Sequence, residues 1–182
     1  QIYHGGVLYP NARHTRNPRK ILLKLFDLFI KKGGCFERQD VQTISFASDN
    51  KPTIKTDAPW GGSKSRFYTF DKLVVACGAF SKKLTDQVNE KIPLDTERGY
   101  HVHFKGHDHL LSRPVIFLNR GFGITPMEQG LRVVGTVEFG GLDNPLSQKR
   151  IQNLVNSAKY LFPELGKHED EWLGFRPTLP DF

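Results

Sequence analysis

A continuous apolar run, Leu73-Val74-Val75-Ala76, followed closely by Gly78, is the feature that most restricts what this chain can fold into. A run without polar residues has no side suited to water, so we expect a strand covered on both faces, as in the parallel sheets of α/β proteins. Gly78 has no side chain and therefore lets the backbone approach another group closely. The run predicts a buried strand whose end can serve as a binding position.

An amphipathic helix is predicted over residues 18–32. Asn17 can cap its first turn, Pro18 suits the first helical position, and Gly33 can supply a left-handed stop. The apolar residues form a broad stripe, which predicts that one face of the helix is buried. The members of the stripe are Ile21, Leu22, Leu25, Phe26, Leu28 and Phe29.

Short strand patterns make up most of the remaining chain. They occur around Val41–Phe46, in PTIKT and SRFYTF on either side of a loop at Trp60-Gly61-Gly62, and in RGYHVHFK, RPVIFLN, QGLRVVGTVEFGG and WLGF. In RGYHVHFK the alternation predicts that Tyr100, Val102 and Phe104 share one buried face. In the strand near residues 130–139, Leu131, Val133, Gly135, Val137 and Phe139 are expected on one face.

A second helix is predicted after Ser147 and before Pro163, with apolar residues at helical spacing. Helices mixed with short strands and one buried strand indicate a mixed α/β protein. Two lobes are expected, with a boundary near residue 92.

The net charge of +7 is concentrated in the first third of the chain. Residues 1–66 carry 12 Lys/Arg and 5 Asp/Glu, a net charge of +7, whereas residues 67–182 carry 14 of each. The positive charges alternate with apolar residues and form no nucleic-acid-binding motif. The pattern favours a solvated face, or one that covers an anionic cofactor, over a nucleic-acid surface.

Motifs for metal, nucleophilic or phosphate chemistry are weak. His101-x-His103 and His107-x-His109 lack a further ligand at a familiar zinc spacing, so solvent-facing histidines are the simpler interpretation. Neither G-x-S-x-G, nor a Walker loop, nor G-x-G-x-x-G occurs.

Arg176 is the most informative charged residue, because it lies between the stiff neighbours Phe175 and Pro177. A guanidinium is always charged, and its fork of donors matches a carboxylate. Two interpretations stay open at this point. One is a binding site for a substrate carboxylate, and the other is a structural ion pair with Glu138 or Asp181.

Several motifs occur together in the order of one family: DKLVVACGAFSKKL, PLDTERGYHV, GLRVVGTVEFGG and WLGFRPTLPD. The chain resembles the FAD-dependent D-amino acid oxidase superfamily, and most of all the small-subunit type of D-amino acid dehydrogenase. The resemblance implies part of a discontinuous FAD-binding fold with an inserted, mixed or antiparallel substrate domain. It divides the chain into a substrate-domain strand (1–16), the middle part of the FAD-binding domain (17–92), the substrate-binding domain (93–175) and a return to the FAD-binding domain (176–182), as in an internal fragment.

The resemblance also implies roles for individual residues. FAD would be bound by Val41, Cys77, Gly78 and Ala79. Arg176 would bind the substrate carboxylate, with Tyr100 on the substrate side. The implied reaction is hydride transfer from an amino acid to the flavin, which gives an imino acid that hydrolyses to a 2-oxo acid.

The implied context is an amino acid substrate and an electron acceptor, which is either oxygen or a membrane quinone. The implied location is the cytoplasm or the cytoplasmic face of the inner membrane. A fragment of this kind is expected to be inactive alone. A hypothesis from another class is a non-catalytic α/β module that binds a partner or an anionic ligand through the basic first part of the chain.

Overall fold

The structure is a computed structural model that describes residues 3–57 and 65–181, so the predicted loop at Trp60-Gly61-Gly62 lies outside the described residues. The helices are α1 (Pro18–Lys31), α2 (Ser81–Thr85) and α3 (Gln148–Leu161). The strands are β1 (Val41–Phe46), β2 (Pro52–Thr56), β3 (Arg66–Thr69), β4 (Asp95–Phe104), β5 (Val115–Phe117), β6 (Phe122–Met127), β7 (Gly130–Phe139) and β8 (Asp170–Thr178). The mixed α/β class predicted from the sequence is confirmed.

The strands form two sheets. The first is antiparallel with the order β1-β2-β3, in which Ile44 pairs with Ile54 and Ile54 with Tyr68. The second has the order β5-β6-β7-β4-β8. Strand β6 was not predicted, because Gly123 and Pro126 weaken its strand pattern. Its pairing with β7, where Ile124 lies opposite Val133, is what makes it a strand.

Two compact units divide the chain. Unit 1 comprises Gln1–Asp27, His101–Gly135 and Gln148–Trp172; unit 2 comprises Leu28–Tyr100, Thr136–Ser147 and Leu173–Phe182. Unit 1 contains a well-packed core in which Val102, Phe104 and Val133 are fully buried. Helix α3 contributes buried side chains to unit 1, as its helical spacing predicts: Ile151, Leu154, Val155 and Ala158. The predicted burial of alternate residues in β4 is confirmed.

Helix α1 forms as predicted, but its burial was predicted wrongly. The backbone N–H of Lys20 donates to Asn17 Oδ1 (3.1 Å), and Gly33 adopts a φ of +89° at the end of the helix. No side chain of α1 is buried against the described residues. An apolar stripe shows which face a helix can bury, but burial also needs a second layer over that face. Within the described ranges, no helix is long and apolar enough to cross a membrane.

The apolar run Leu73–Ala76 is not a strand, which corrects the prediction. The segment has no regular secondary structure and no ladder pairing, and Val74 is 84% exposed. A strand exists only where a neighbouring strand supplies hydrogen bonds, and no described strand pairs with this run.

Strand β7 also departs from its predicted alternation. Leu131 and Val133 are buried, but Val137 and Phe139 are exposed. Thr136 between them has a φ of +57°, which is rare for a β-branched residue. The change of backbone conformation at Thr136 ends the regular alternation, and the following Glu138 contacts Tyr100 on β4.

Candidate functional site

The residues predicted to bind a cofactor lie in unit 2, where the chain turns after the apolar run. Gly78 has a φ of +56°, and a Cβ added there would meet no atom within 4 Å. The Cys77 N–H donates to Ser81 Oγ (3.1 Å), which holds the turn against the first residue of α2. Ala79 is buried and the Cys77 thiol is exposed. The left-handed glycine leaves an open backbone surface of the kind that a ligand can approach.

Val41 begins β1 in the same unit, and its side chain is exposed. Gln87, which follows α2, holds this strand through two hydrogen bonds. Its Oε1 accepts from the Ile44 N–H (2.9 Å), and its Nε2 donates to the Gln42 carbonyl (3.1 Å). The strand of Val41 and the segment after Ala79 are therefore tied together by one side chain.

A cleft of about 330 Å³ opens next to Ala79. Its wall combines residues that follow the glycine turn, the start of β4 and the loop after β7: Ala79, Phe80, Lys82, Lys83, Asp86, Leu94, Asp95, Thr96, Gly141, Leu142 and Asp143. The volume is at the lower end of the ~300–1,000 Å³ typical of small-molecule sites. Of the four predicted cofactor residues, Ala79 alone lines this cleft.

The loop that forms one wall of the cleft is held by a buried arginine. Arg98 on β4 is fully buried, and its guanidinium donates to the carbonyls of Gly140 (3.2 Å) and Pro145 (2.7 Å). A Cβ at Gly140 would lie 2.9 Å from Arg98 Nη1, so a larger residue there would crowd the guanidinium. Arg98 Nε lies 3.6 Å from Glu138 Oε2, which gives the buried cation an anionic partner.

Tyr100, predicted on the substrate side, is only 1% exposed. Its hydroxyl donates to Glu138 Oε2 and accepts the Ser147 N–H (3.3 Å). Arg98, Tyr100 and Glu138 are hereafter called the buried network. The network fixes both ends of the loop Gly140–Ser147, so Tyr100 lies beneath the wall of the cleft.

Arg176, predicted to bind a carboxylate, lies on β8 with its side chain 71% exposed. Its Nη1 is 3.4 Å from Glu97 Oε2 on β4, and Thr178 Oγ1 donates to the same oxygen (3.1 Å). The ion-pair partner is thus Glu97, and neither Glu138 nor Asp181. One nitrogen of the guanidinium contacts Glu97. Because most of the side chain is exposed, the other N–H donors face solvent.

The structure brings Arg176 and the glycine turn into the same unit. Phe175, the residue before Arg176, makes an edge-to-face contact with Phe80, which follows Ala79 (ring centroids 5.6 Å apart). Aromatic pairs of this geometry fix the relative position of the segments that carry them. The contact holds β8 against the segment that begins at Gly78.

Sequence reasoning missed Glu97 and Arg98 as site residues. A usable signal existed for Arg98, because it lies in step with Thr96, Tyr100 and Val102 on the buried face of β4. A charged residue at an inward position of an alternating strand requires partners. Glu97 had no comparable signal in the sequence, because its importance depends on its contacts with Arg176 and Thr178 on β8. The described residues contain no group of three His, Cys, Asp or Glu side chains that could hold a metal ion.

Comparisons with known proteins agree in one family. The profile of the DAO family, described as FAD dependent oxidoreductase, matches residues 1–182. A D-amino-acid oxidase of Bradyrhizobium diazoefficiens is 28% identical over 98% of this chain and 42% of that protein. A D-amino acid dehydrogenase of Neisseria gonorrhoeae is 31% identical over 97% of this chain and 42% of that protein. The chain therefore spans less than half the length of these relatives.

Two solved structures that match this chain are oxidases. A glycine oxidase from Geobacillus kaustophilus matches with a TM-score of 0.65 and 25% identity, covering 82% of this chain and 39% of that one. An iminodiacetate oxidase from Chelativorans sp. BNC1 matches with a TM-score of 0.68 and 18% identity, covering 89% and 43%. At 18% identity the second match supports the fold alone.

Proposed function

Because the chain belongs to the DAO family of FAD-dependent oxidoreductases, we propose that it takes part in oxidising a D-amino acid, or a related amine that carries a carboxylate, to the 2-oxo acid. The proposal carries over the activity that the names of the relatives state, and this chain covers 42% of the length of those relatives. Its support within the chain is the exposed guanidinium of Arg176 in the same unit as the glycine turn.

The residues of the glycine turn fit a flavin nucleotide. The open space around Gly78 and the exposed start of β1 at Val41 leave room for an extended ligand beside the backbone. We assign FAD binding to Val41, Cys77, Gly78 and Ala79. The cleft next to Ala79 is smaller than a whole dinucleotide, so it would hold one part of the FAD. Bound FAD supplies the hydride acceptor for the oxidation.

Arg176 is assigned to the substrate carboxylate. Glu97 holds one nitrogen of the guanidinium, and the free edge of the fork can then donate two parallel hydrogen bonds to a substrate carboxylate. Anchoring the carboxylate restricts which hydrogen of the substrate α-carbon is presented for transfer. Positioning of this kind lowers the barrier without any acid–base pair on the protein.

Tyr100 enters the proposal as a positioning residue. Its hydroxyl, together with Arg98 and Glu138, holds the loop Gly140–Ser147 that forms part of the cleft wall. A loop held at both ends keeps the shape of the cleft constant while ligands bind and leave.

The test is the kinetics of Arg176→Lys and Arg176→Met in the FAD-loaded enzyme. Loss of the fork should raise KM for a D-amino acid by about 100-fold, since charge-assisted bidentate pairs are among the strong interactions. Arg176→Lys should recover part of this loss because the charge remains. The matched control is the corresponding amine without a carboxylate, for which all three enzymes should behave alike. Unchanged KM for every D-amino acid would remove Arg176 from the proposal.

A further inference from the structure

A second arginine, separate from Arg176, has a partly buried position on the five-stranded sheet within unit 1. Arg132 on β7 is half-buried, and its Nε donates to His103 Nε2 on β4 (3.0 Å). Among the described residues no carboxylate lies within ion-pair distance of Arg132, and its Nη nitrogens have no acceptor. A guanidinium has five N–H donors, so most of this fork is available.

The half-buried charge of Arg132 destabilises the protein when no anion is bound to it. Partial burial removes water from the charge, and desolvation lowers the pKa of Arg132 below its usual value. Other cations in the described part of unit 1 have a carboxylate partner, for example Arg16 with Asp108 and Lys105 with Glu169. A half-buried charge without a counterion is a position where an anion contributes more than on an open surface.

The two histidines beside Arg132 do not neutralise it. Because His103 Nε2 accepts from Arg132, the proton of its neutral ring is on Nδ1, which lies 3.8 Å from Asp170 Oδ2. Burial first, and then the charge of Arg132, lowers the pKa of His101 to about 4 and the pKa of His103 in the same direction. At neutral pH both rings are uncharged. Asp170 therefore faces the far side of His103, and the charge that faces a ligand is that of Arg132.

A row of aromatic rings extends across β4 to β8 from His103, the residue that Arg132 contacts. Trp172 on β8 is stacked on His101, with ring centroids 4.7 Å apart and an angle of 19° between the planes, and it is 52% exposed. The ring of His101 is in turn 5.0 Å from His103, the residue that Arg132 contacts. A half-exposed indole fixed by stacking offers a flat apolar wall at low entropic cost.

We propose that Arg132 anchors a binding site for a small organic carboxylate, with the stacked Trp172 and His101 as its apolar wall. The carboxylate accepts two hydrogen bonds from the open Nη edge of Arg132. The hydrocarbon or aromatic part of the ligand packs against Trp172. The site uses neither Arg176 nor the residues assigned to FAD, so it stands or falls independently of the proposed oxidation.

The experiment is a titration followed by the fluorescence of Trp172. The chain has two tryptophans, so a Trp60→Phe background makes Trp172 the only reporter. Acetate and benzoate are added at constant ionic strength against chloride. A saturable fluorescence change is expected for both, with benzoate binding more tightly because its ring contacts the indole.

Two variants of Arg132 test the anchor. Arg132→Met should abolish the saturable change, and Arg132→Lys should weaken binding by about tenfold or more, since an ammonium cannot form the bidentate pair. Circular dichroism checks that each variant is folded, and Arg132→Lys decides the matter alone if Arg132→Met does not fold. Equal binding by Arg132→Lys and the parent would overturn the proposal, as would a response to chloride equal to that for acetate.

Discussion

The two sheets of this protein have similar apolar patterns and very different burial. In the three-stranded sheet β1-β2-β3, Ile44 and Thr56 are buried, while Phe46 and Phe67 are exposed. In the five-stranded sheet, successive inward residues of β4 are fully or almost fully buried, from Thr96 to Phe104. The difference lies in what covers each sheet, because α3 adds a layer of apolar side chains in unit 1.

The comparison shows that an apolar side chain stabilises a fold only where a second layer removes it from water. Helix α1 belongs with the three-stranded sheet in this respect, since it has a strong apolar stripe and no buried residue. Its formation depends on local signals, namely its cap and its stop. The buried network shows the opposite case, in which polar residues are enclosed and stabilise one another.

The largest expected effect is a direct test of this contrast. Phe104→Ala removes a fully buried ring from the five-stranded sheet and should lower the free energy of unfolding by about 3–5 kcal/mol. The matched control, Phe67→Ala, removes a ring that is 70% exposed on β3 and should cost less than ~1 kcal/mol. Urea unfolding measures both. Equal losses would mean that the two sheets are covered alike in solution.

The second test compares a buried ion pair with an exposed one. Arg98→Met leaves Glu138 in the buried network without its cation, and should destabilise the protein by about 3 kcal/mol. Lys51→Met breaks the exposed pair with Asp71 in the three-stranded sheet region and should leave the unfolding midpoint almost unchanged. If Arg98→Met is as stable as the parent, the network does not hold the loop Gly140–Ser147.

The third test uses pH on the side of the five-stranded sheet that carries His101. The pKa of His101 is lowered from 6.5 to about 4, so the folded protein binds this proton less readily than the unfolded chain. The contribution of His101 to the free energy of unfolding is therefore fully present above pH 6.5, and it is lost as the pH falls from 6.5 towards about 4. His103 shifts in the same direction and adds to the loss.

His101→Phe keeps a ring beside Trp172 and removes the titration. The variant should lose less stability than the parent when urea midpoints are compared at the two ends of this pH range. A parallel loss in both proteins would show that His101 is not shielded from water.

The smallest expected effect concerns α1, whose apolar face is exposed. Asn17→Ala removes the cap of the Lys20 N–H and should cost about 1 kcal/mol, with a small loss of helical circular dichroism. Asn17→Ser retains an oxygen that can cap, so it should lose less. Identical behaviour of the two variants would indicate that the cap does not contribute to the stability of the helix.

Local features were predictable from the sequence where short-range physics decides them. The bounds of α1 follow from Asn17, Pro18 and Gly33, and the strands β1, β2, β4 and β7 lie where their strand patterns predict them. Features that depend on a partner were not predictable in the same way. Leu73–Ala76 has the composition of a buried strand but pairs with no described strand, and β6 contains Pro126 yet pairs along its full length.

The same distinction between local features and features that depend on a distant partner applies to the candidate site. The sequence favoured a carboxylate as the partner of Arg176, of the substrate or of Glu138 or Asp181, but the ion-pair partner in the structure is Glu97, 79 residues away in the chain (176 − 97). The inward position of Glu138 depends on the conformation of Thr136, which no alternation pattern predicts. Glu138 contacts Tyr100 because β7 and β4 are neighbours in the sheet.

By itself, the sequence determined the helices, most strands, the family and the residue types available for binding an anion or a carboxylate. These depend on capping, periodicity and motifs, all of which act over a few residues. The tertiary structure alone decided that the apolar face of α1 stays exposed, which carboxylate accompanies Arg176, and that Arg132 keeps open donors next to His103. Burial and charge pairing depend on what lies across space, and separation along the chain carries little information about that.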